Sequence, residues 1–563
     1  MTVTSADRLM AYLVAPDVAP RPSPDALPTP QEFLALVERH KLPLYEVLTV
    51  NHLLDAPLVA TPAVQAALGQ DRELHRSIYE EFEAIRPQLE AAGIPYVLLK
   101  GVNQMPYRSD NIDILLHEKD FEPVGGMLEA LGYMENLYST NRHKNLYNRV
   151  SGCRRSGIFH FHRYVAWYSP FVEPDYIFPT AVEGGEPGVR LPRTEVSMGI
   201  LGAHAMYEDA CVRFIEMHKI RHLMSRGPVD WNDLWQMARH RGFASGLALF
   251  FLILDGQHRL YMGRPMFDDA QRRTLESHLD ILNGTEAHYR RHVAGRDLPC
   301  PYAMSKYFAR RLLLCQLFGT RIATRREKLA IAATILSKGW EQVTRRFPQP
   351  PTTVAVCGWD GCGKTTIIDC LSRGIGTFDV HSERSWKRIG DSPLLNLLKR
   401  PLRRHIKAEV DAGIASEQGV FQSAFLRRLW PVLAVPDYVF RQYLAIGWAY
   451  VRHRMAIADR YHVDAMVDLA LRCGPEVFEK RWVVWMLRLL PRARPAFILE
   501  CSPETLRRRR RKEFFDGVSE RVIGYYRKAA ELFGATIISN EGDPSVAAEQ
   551  MIREVITQFF KRL

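Results

Sequence analysis

The sequence has no CxxC pair and no group of Cys and His residues at zinc-finger spacing. Neither a zinc finger nor a CxxC redox motif therefore organises the chain. Its nine cysteines are scattered. Three of them, Cys357, Cys362 and Cys370, fall in or beside a glycine-rich loop. Oxidised partners there would distort the loop, so free thiols and a reducing, cytoplasmic compartment are expected. The N-terminus has no basic segment followed by a long apolar run, and no signal peptide is expected. Long apolar runs are scarce elsewhere. Gly246–Leu254 is too short to cross a bilayer, and Trp430–Tyr450 is broken by Pro436, Asp437 and Arg441. Both read as buried helices, with no membrane span. Low-complexity tracts and internal repeats are absent too.

What is present is an ordinary globular composition, 47% hydrophobic and 25% charged over 563 residues. At roughly 100–200 residues per domain, two to four domains are expected. The net charge of +12 suits an anionic ligand. A protein that handles phosphates is the simpler reading, and a nucleic-acid partner is not favoured.

Six prolines in 15–30 suggest a loose extended lead-in over 1–29. Helical spacing starts behind Thr29-Pro30 and returns over Asp71–Ala92, stopped by Gly93. Residues 94–135 read strand, loop, strand, helix, and 195–290 are mostly helical. A basic helix over Arg325–Arg346 leads to a stiff linker with prolines at 348, 350 and 351. These features divide the chain into 1–29, a domain over 30–300, a helical connector and linker over 301–351, and a domain over 352–563. In the last of these, helices and strands alternate, as in a parallel α/β sheet. Its clearest strands are Val354–Cys357, Met455–Ala458, Ala496–Glu500 and Thr536–Ser539.

The segment VAVCGWDGCGKTTIIDCL contains the full GxxxxGK[ST] pattern, with Gly358, Gly363, Lys364 and Thr365. An apolar strand precedes it and a helix follows. Glycines let successive N–H groups of Gly361, Cys362 and Gly363 turn inward toward phosphate oxygens. The helix N-terminus adds partial positive charge. Lys364 is placed to reach the β- and γ-phosphates, and Thr365 offers a hydroxyl to Mg²⁺.

The run Trp359-Asp360-Gly361-Cys362-Gly363-Lys364-Thr365-Thr366 resembles the loop of the thymidylate kinase family. Met455–Tyr461 ends in Asp459-Arg460-Tyr461, similar to that family's DRY element. Ala496–Glu504, followed by five arginines at 507–511, resembles its last core strand and arginine-bearing lid. The resemblance implies a P-loop kinase that uses ATP and Mg²⁺. It places Asp360 toward the acceptor or metal shell, Asp459 with Thr365 at Mg²⁺ or the attacking hydroxyl, Arg460 at the acceptor, and Arg509 at the γ-phosphate. It also admits a dimer. Read without it, the arginine run is a solvated basic face or a nucleic-acid patch. The Arg-Glu-Pro segment of thymidylate-specific members is absent. Asp379–Trp386 stands there instead, with His381 and Arg384 as acceptor-binding candidates or plain strand-end residues. A basic stretch (Arg400, Arg403, Arg404, Lys407) covers the acceptor pocket or solvates a helix.

In the first half, Leu89–Gly101, Arg108, Asn111–Leu116, Gly132-Tyr133 and Phe159–His162 resemble a bacterial nucleotidyltransferase-like family of the polymerase-β type. The likeness covers about 30–265. It implies an α+β domain with a large helical part, ahead of the P-loop sheet. Its chemistry requires two carboxylates at alternate strand positions and a third on a neighbouring strand, together holding two Mg²⁺ ions. Here Asn111 takes the first position, Asp113 keeps the second, and His160 stands at the third. Asp110 is adjacent but one residue out of phase. An inactive or altered domain is expected, with Lys100, Gly101 and Arg108 as anion ligands or as ordinary loop residues. The leading expectation is an ATP-dependent phosphotransferase with an unassigned small-molecule acceptor. The alternatives are a nucleotide-switched binding protein and an active nucleotidyltransferase that uses Asp110 and Asp113.

Overall fold

A computed structural model describes residues 3–23, 27–50, 59–100, 111–167, 169–184, 188–319, 350–392, 424–509 and 516–561, with Leu395 and a few positions between 320 and 349. The chain divides into two compact units, 1–147 with 157–343 and 148–156 with 344–563.

The first unit begins with α1 (Ser5–Val14), capped by a reciprocal Thr4–Asp7 pair. Leu9, Met10, Leu13 and Val14 lie in the main core of the unit. The segment expected to be a loose lead-in is therefore structural at this point. Its apolar residues recur at helical spacing and are buried against later helices. Helix α2 (Pro30–Arg39) starts at Thr29 as its sequence implies. Helix α3 (Pro62–Ala91) runs a further nine residues N-terminal of the expected start at Asp71.

The five-stranded sheet follows: β1 (Tyr96–Lys100), β2 (Ile112–Leu116), then α4 (Phe121–Ala130), β3 (Met134–Glu135), β4 (Lys144–Ser151) and β5 (Arg154–His162), of which residues 148–156 of β4 and β5 fall in the second unit. The strand order is β1-β2-β5-β4-β3. Strand β2 is antiparallel to β1 and parallel to β5, with Asp113 opposite His160 and Leu115 opposite His162.

The helical part comprises α5 (Thr194–Ala203), α6 (Phe214–Ser225), α7 (Trp231–His240) and α8 (Ala244–Met262). Apolar nearly all round, α8 is the buried axis of the core, as a helix without a polar stripe must be. Helix α9 (Lys306–Gly319) also packs into this core through Phe308, Leu312 and Leu313. The expected connector thus begins inside the first unit. Most of the expected basic helix over 325–346 lies outside the described residues.

The second unit is built on β6 (Thr353–Gly358), α10 (Lys364–Gly376), β7 (Ser382–Trp386), α11 (Ala424–Val451), β8 (Met455–Asp459), α12 (His462–Cys473), β9 (Ala493–Glu500), α13 (Pro503–Arg509), α14 (Asp516–Phe533), β10 (Thr536–Ser539) and α15 (Pro544–Phe560). Its sheet is wholly parallel, in the order β7-β8-β6-β9-β10. Strands β6 and β8 are buried along their whole length, which accounts for their unbroken apolar runs. Ala355, Cys357, Ala456, Ala458 and Ala496 put small side chains on one face, and α11, α12 and α14 close on it.

Two expectations are corrected here. Helix α11 is only half buried: Ala434, Val435, Tyr438 and Ile446 face the core, while Phe440, Leu444 and Trp448 are exposed. Only one stripe of this 28-residue helix packs against its unit. Cys370 is not a free thiol but is disulfide-bonded to Cys153 within the second unit. It lies in α10, beyond the loop, so this bond leaves the loop glycines untouched. Cys357 and Cys362 remain free and buried. Among the described residues no helix is long and apolar enough to cross a membrane.

Two buried imidazoles in the first unit tie its stability to pH. Burial pushes His40 and His218 down to about 4. His218 Nδ1 lies 3.1 Å from the Val14 carbonyl and helps to fasten α1. Both groups gain protons on unfolding between pH 6.5 and 4. Their stabilising contribution is present above pH 6.5 and is lost as the pH falls through that window, at up to about 1.4 kcal/mol per pH unit for each. We expect His218→Gln to flatten this slope by about one proton, read by urea-dependent hydrogen exchange of the α6 and α8 amides in the full chain.

Candidate functional site

The glycine-rich loop joins the end of β6 to α10. Strand β6 lies between β8 and β9, where the order of the sheet reverses, and parallel sheets open a crevice at the carboxyl ends of such strands. Gly358, Gly361 and Gly363 have φ of +141°, +97° and +91°. A Cβ on Gly358 would stand 2.7 Å from the Leu499 carbonyl oxygen, and one on Gly363 would stand 2.8 Å from Asn540 Nδ2. Glycine at these two positions is required by the backbone and by its neighbours. The N-terminus of α10, a 13-residue helix, opens directly behind Gly363.

Lys364 is buried, with Nζ 2.5 Å from the Gly358 carbonyl, 2.9 Å from that of Trp359 and 3.4 Å from Asp360 Oδ1. Asp360 also pairs with Arg460, which takes a left-handed conformation at φ +71°. Asp459, at the end of β8, pairs with Arg384, and Arg384 Nη2 lies 3.4 Å from Thr365 Oγ1. Arg509 reaches the loop as well: its Nη1 is 3.8 Å from the Cβ position of Gly363. The structure therefore gathers Asp360, Lys364, Thr365, Arg384, Asp459, Arg460 and Arg509 around one loop, with Cys362 and Thr366 flanking.

His381 is not part of this gathering. Its carbonyl accepts from Met455 N at the amino end of β7. Parallel register puts Trp386 beside Asp459 and Ser382 beside Met455. His381 is therefore about five residues, on the order of 16 Å, from the level of Asp459. Its reading as an acceptor ligand is corrected on that ground. Arg510, Arg511 and the basic stretch from Arg400 to Lys407 lie outside the described residues, as does the Arg507 side chain.

Two supports were not legible as site residues. Asn540, just past β10, donates from Nδ2 to the Cys362 carbonyl at 2.7 Å. Asp464, in the first turn of α12, accepts from Gly358 N at 3.2 Å, Tyr461 N at 3.2 Å and the Tyr526 hydroxyl at 2.8 Å. Burial raises its carboxyl above the usual aspartate range. It also pushes the Cys362 thiol up to about 11, so this loop cysteine is a packing group.

The first unit carries a second cluster. Register places Asp113 and His160 side by side on β2 and β5, and His162 falls on the same face by alternation. Asp113 Oδ1 is 3.2 Å from His160 Nδ1 and 2.7 Å from His162 Nε2. Asn111 Nδ2 is 2.7 Å from His160 Nδ1. Asp113 is buried, and the cluster lines a cavity of about 660 Å³ that Lys144, His204 and Lys219 also line. Burial pushes His162 down to about 4 against the opposing pull of Asp113. The convergence of Asn111, Asp113 and His160 follows from the strand pattern. His162 also carries a sequence signal, its i+2 spacing from His160. The Lys100 side chain, Gly101, Arg108 and Asp110 lie outside the described residues.

A family model for an uncharacterised nucleotidyltransferase matches residues 28–256. These residues are a nucleotidyltransferase-like domain. No curated protein matches the chain. Among solved structures, thymidylate kinase from Candida albicans is 14% identical, covering 37% of this chain and 91% of its own, at a TM-score of 0.26. Thymidylate kinase from Ehrlichia chaffeensis is 10% identical, covering 36% and 97%, at a TM-score of 0.24. Similarity at this level is weak, and the description of the second unit stands on its own sheet and loop.

The loop geometry makes a direct prediction. Gly363→Ala forces a left-handed alanine against Asn540 and should cost about 1–3 kcal/mol in the second unit. Gly376→Ala, in open space at the end of α10, should change stability by less than about 1 kcal/mol. Urea denaturation of the two variants distinguishes them.

Proposed function

We propose that the second unit is an ATP-dependent, P-loop phosphotransferase acting on a small acceptor, and that the nucleotidyltransferase-like domain no longer performs two-metal nucleotidyl transfer. The observation that carries the reading is the convergence on one loop of a buried lysine, a hydroxyl, a strand-end aspartate and arginines. A phosphoryl group in transfer has its charge spread over three oxygens, and catalysis is largely positioning and charge neutralisation. Lys364 lies within the loop and exchanges the carbonyls of Gly358 and Trp359 for β- and γ-phosphate oxygens. The loop amides and the α10 N-terminus hold the same phosphates. Arg509, at the edge of the loop, faces the migrating group.

Thr365 Oγ1 and the Asp459 carboxylate share one cation, the Arg384 guanidinium. Two oxygen donors converging on a cation fit a small hard ion, and these two residues would hold Mg²⁺. Magnesium when bound would neutralise the phosphate charge. Arg384 belongs to this phosphate side of the site. The acceptor side is assigned to Asp360 and Arg460, which brace each other, so that Asp360 meets the incoming hydroxyl or phosphate and Arg460 orients it.

The test is transfer of label from γ-labelled ATP, with Mg²⁺, to a panel of nucleoside monophosphates, sugars and sugar phosphates. Lys364→Ala and Asp459→Asn should each lower acceptor-dependent turnover at least about 100-fold, with the fold retained. ATP binding that depends on Lys364, with no acceptor labelled, would replace this reading with a nucleotide-switched binding protein. Labelled nucleotide transfer from α-labelled substrate, abolished by Asp113→Asn, would restore the nucleotidyltransferase.

A further inference from the structure

The cluster on β2 and β5 does not fit the two-magnesium chemistry that its domain type implies. Two hard Mg²⁺ ions want several carboxylate oxygens and near-octahedral geometry. Among the described residues the cluster offers one carboxylate, Asp113, and two imidazoles, His160 and His162. Position 111 supplies an amide, whose Nδ2 is turned toward His160. Imidazole nitrogens favour borderline first-row metals over magnesium.

The geometry points to a different occupant. We propose that Asp113, His160 and His162 bind a single divalent transition-metal ion of the zinc, iron(II) or cobalt type. Three observations converge. The donors come from two adjacent parallel strands in fixed register, so a rigid element sets their spacing. Their ligand atoms all lie within 4.8 Å of one another; the His160–Asp113 edge is 3.2 Å, and the His162–Asp113 edge, now a 2.7 Å hydrogen-bond contact, would open slightly on binding. An ion with ligands at about 2.0–2.1 Å in tetrahedral array has ligand–ligand edges of about 3.3 Å. The cluster also opens into the cavity of about 660 Å³ instead of a closed core.

Three protein ligands facing a cavity leave at least one coordination position for a small molecule, the arrangement of a catalytic rather than a structural site. The cavity wall around that position carries both signs, Lys41, Lys144 and Lys219 with Glu38, Glu208, Asp209 and Glu216. This inference is independent of the phosphotransferase reading, since it uses no residue of the second unit.

The probe is Co²⁺ added to the full chain after chelator treatment, without nucleotide. We expect one equivalent to bind with visible d–d absorption, and millimolar Mg²⁺ not to displace it. Removal of a group that only orients a metal ligand already costs about 10–100-fold in metal affinity, so loss of a ligand itself in His162→Ala and Asp113→Asn should weaken Co²⁺ binding by at least about 100-fold. Lys364→Ala should leave it unchanged. His160→Asp, which keeps a donor in place, should still bind cobalt with a shifted spectrum, and it separates ligand loss from a general loss of fold. Absence of d–d bands, equal displacement by Mg²⁺, or affinity unchanged in the Asp113 and His162 variants overturns the proposal.

Discussion

One buried carboxylate, Asp464, ties together the elements on which the glycine-rich loop depends. It accepts from the amide of Gly358 at the end of β6, from Tyr461 at the turn after β8, and from the Tyr526 hydroxyl on α14. Three elements distant in sequence are thus held by one group. Burial disfavours its charge, and the converging donors offset that cost. A buried acid in this position is stable only if every donor is in place, so the end of β6 and the start of α12 are fixed together. Asn540 does the same on the other side of the loop through the Cys362 carbonyl. The glycines then take left-handed conformations that the surrounding backbone imposes.

The two units use contrasting donor chemistry. Around the loop the convergent groups are a hydroxyl, carboxylates, a lysine and arginines, suited to phosphate and a hard cation. On β2 and β5 they are imidazoles around a single carboxylate, suited to a softer ion. Both arrangements come from parallel strand pairs. In the second unit, β7 and β8 bring Arg384 to Asp459; in the first, β2 and β5 bring His160 to Asp113. Parallel register converts a linear spacing into a shared point in space, and residue type then decides what that point can hold.

Much of this was legible from local pattern. The loop, its flanking strand and helix, and β10 over Thr536–Ser539 follow from glycine spacing and apolar runs. Local pattern failed where distance along the chain mattered. The bond from Cys153 to Cys370 spans 217 residues, and no spacing rule signals it. His381 looked like a strand-end ligand, yet strand direction puts it at the wrong end of β7. Helix α1 looked like the start of a loose tail because prolines follow it, while its apolar face is buried in the first unit.

By itself the sequence determined the glycine-rich loop between a strand and a helix, because glycine conformations and the helix N-terminus are local properties of a short segment. It also determined that the nucleotidyltransferase-like strands carry Asn111 and His160 where carboxylates are required. Only the tertiary structure decided which residues meet the loop and which imidazoles meet Asp113. Strand order and parallel register set those distances, and both arise from pairing between segments as far apart in sequence as Gly358 and Leu499.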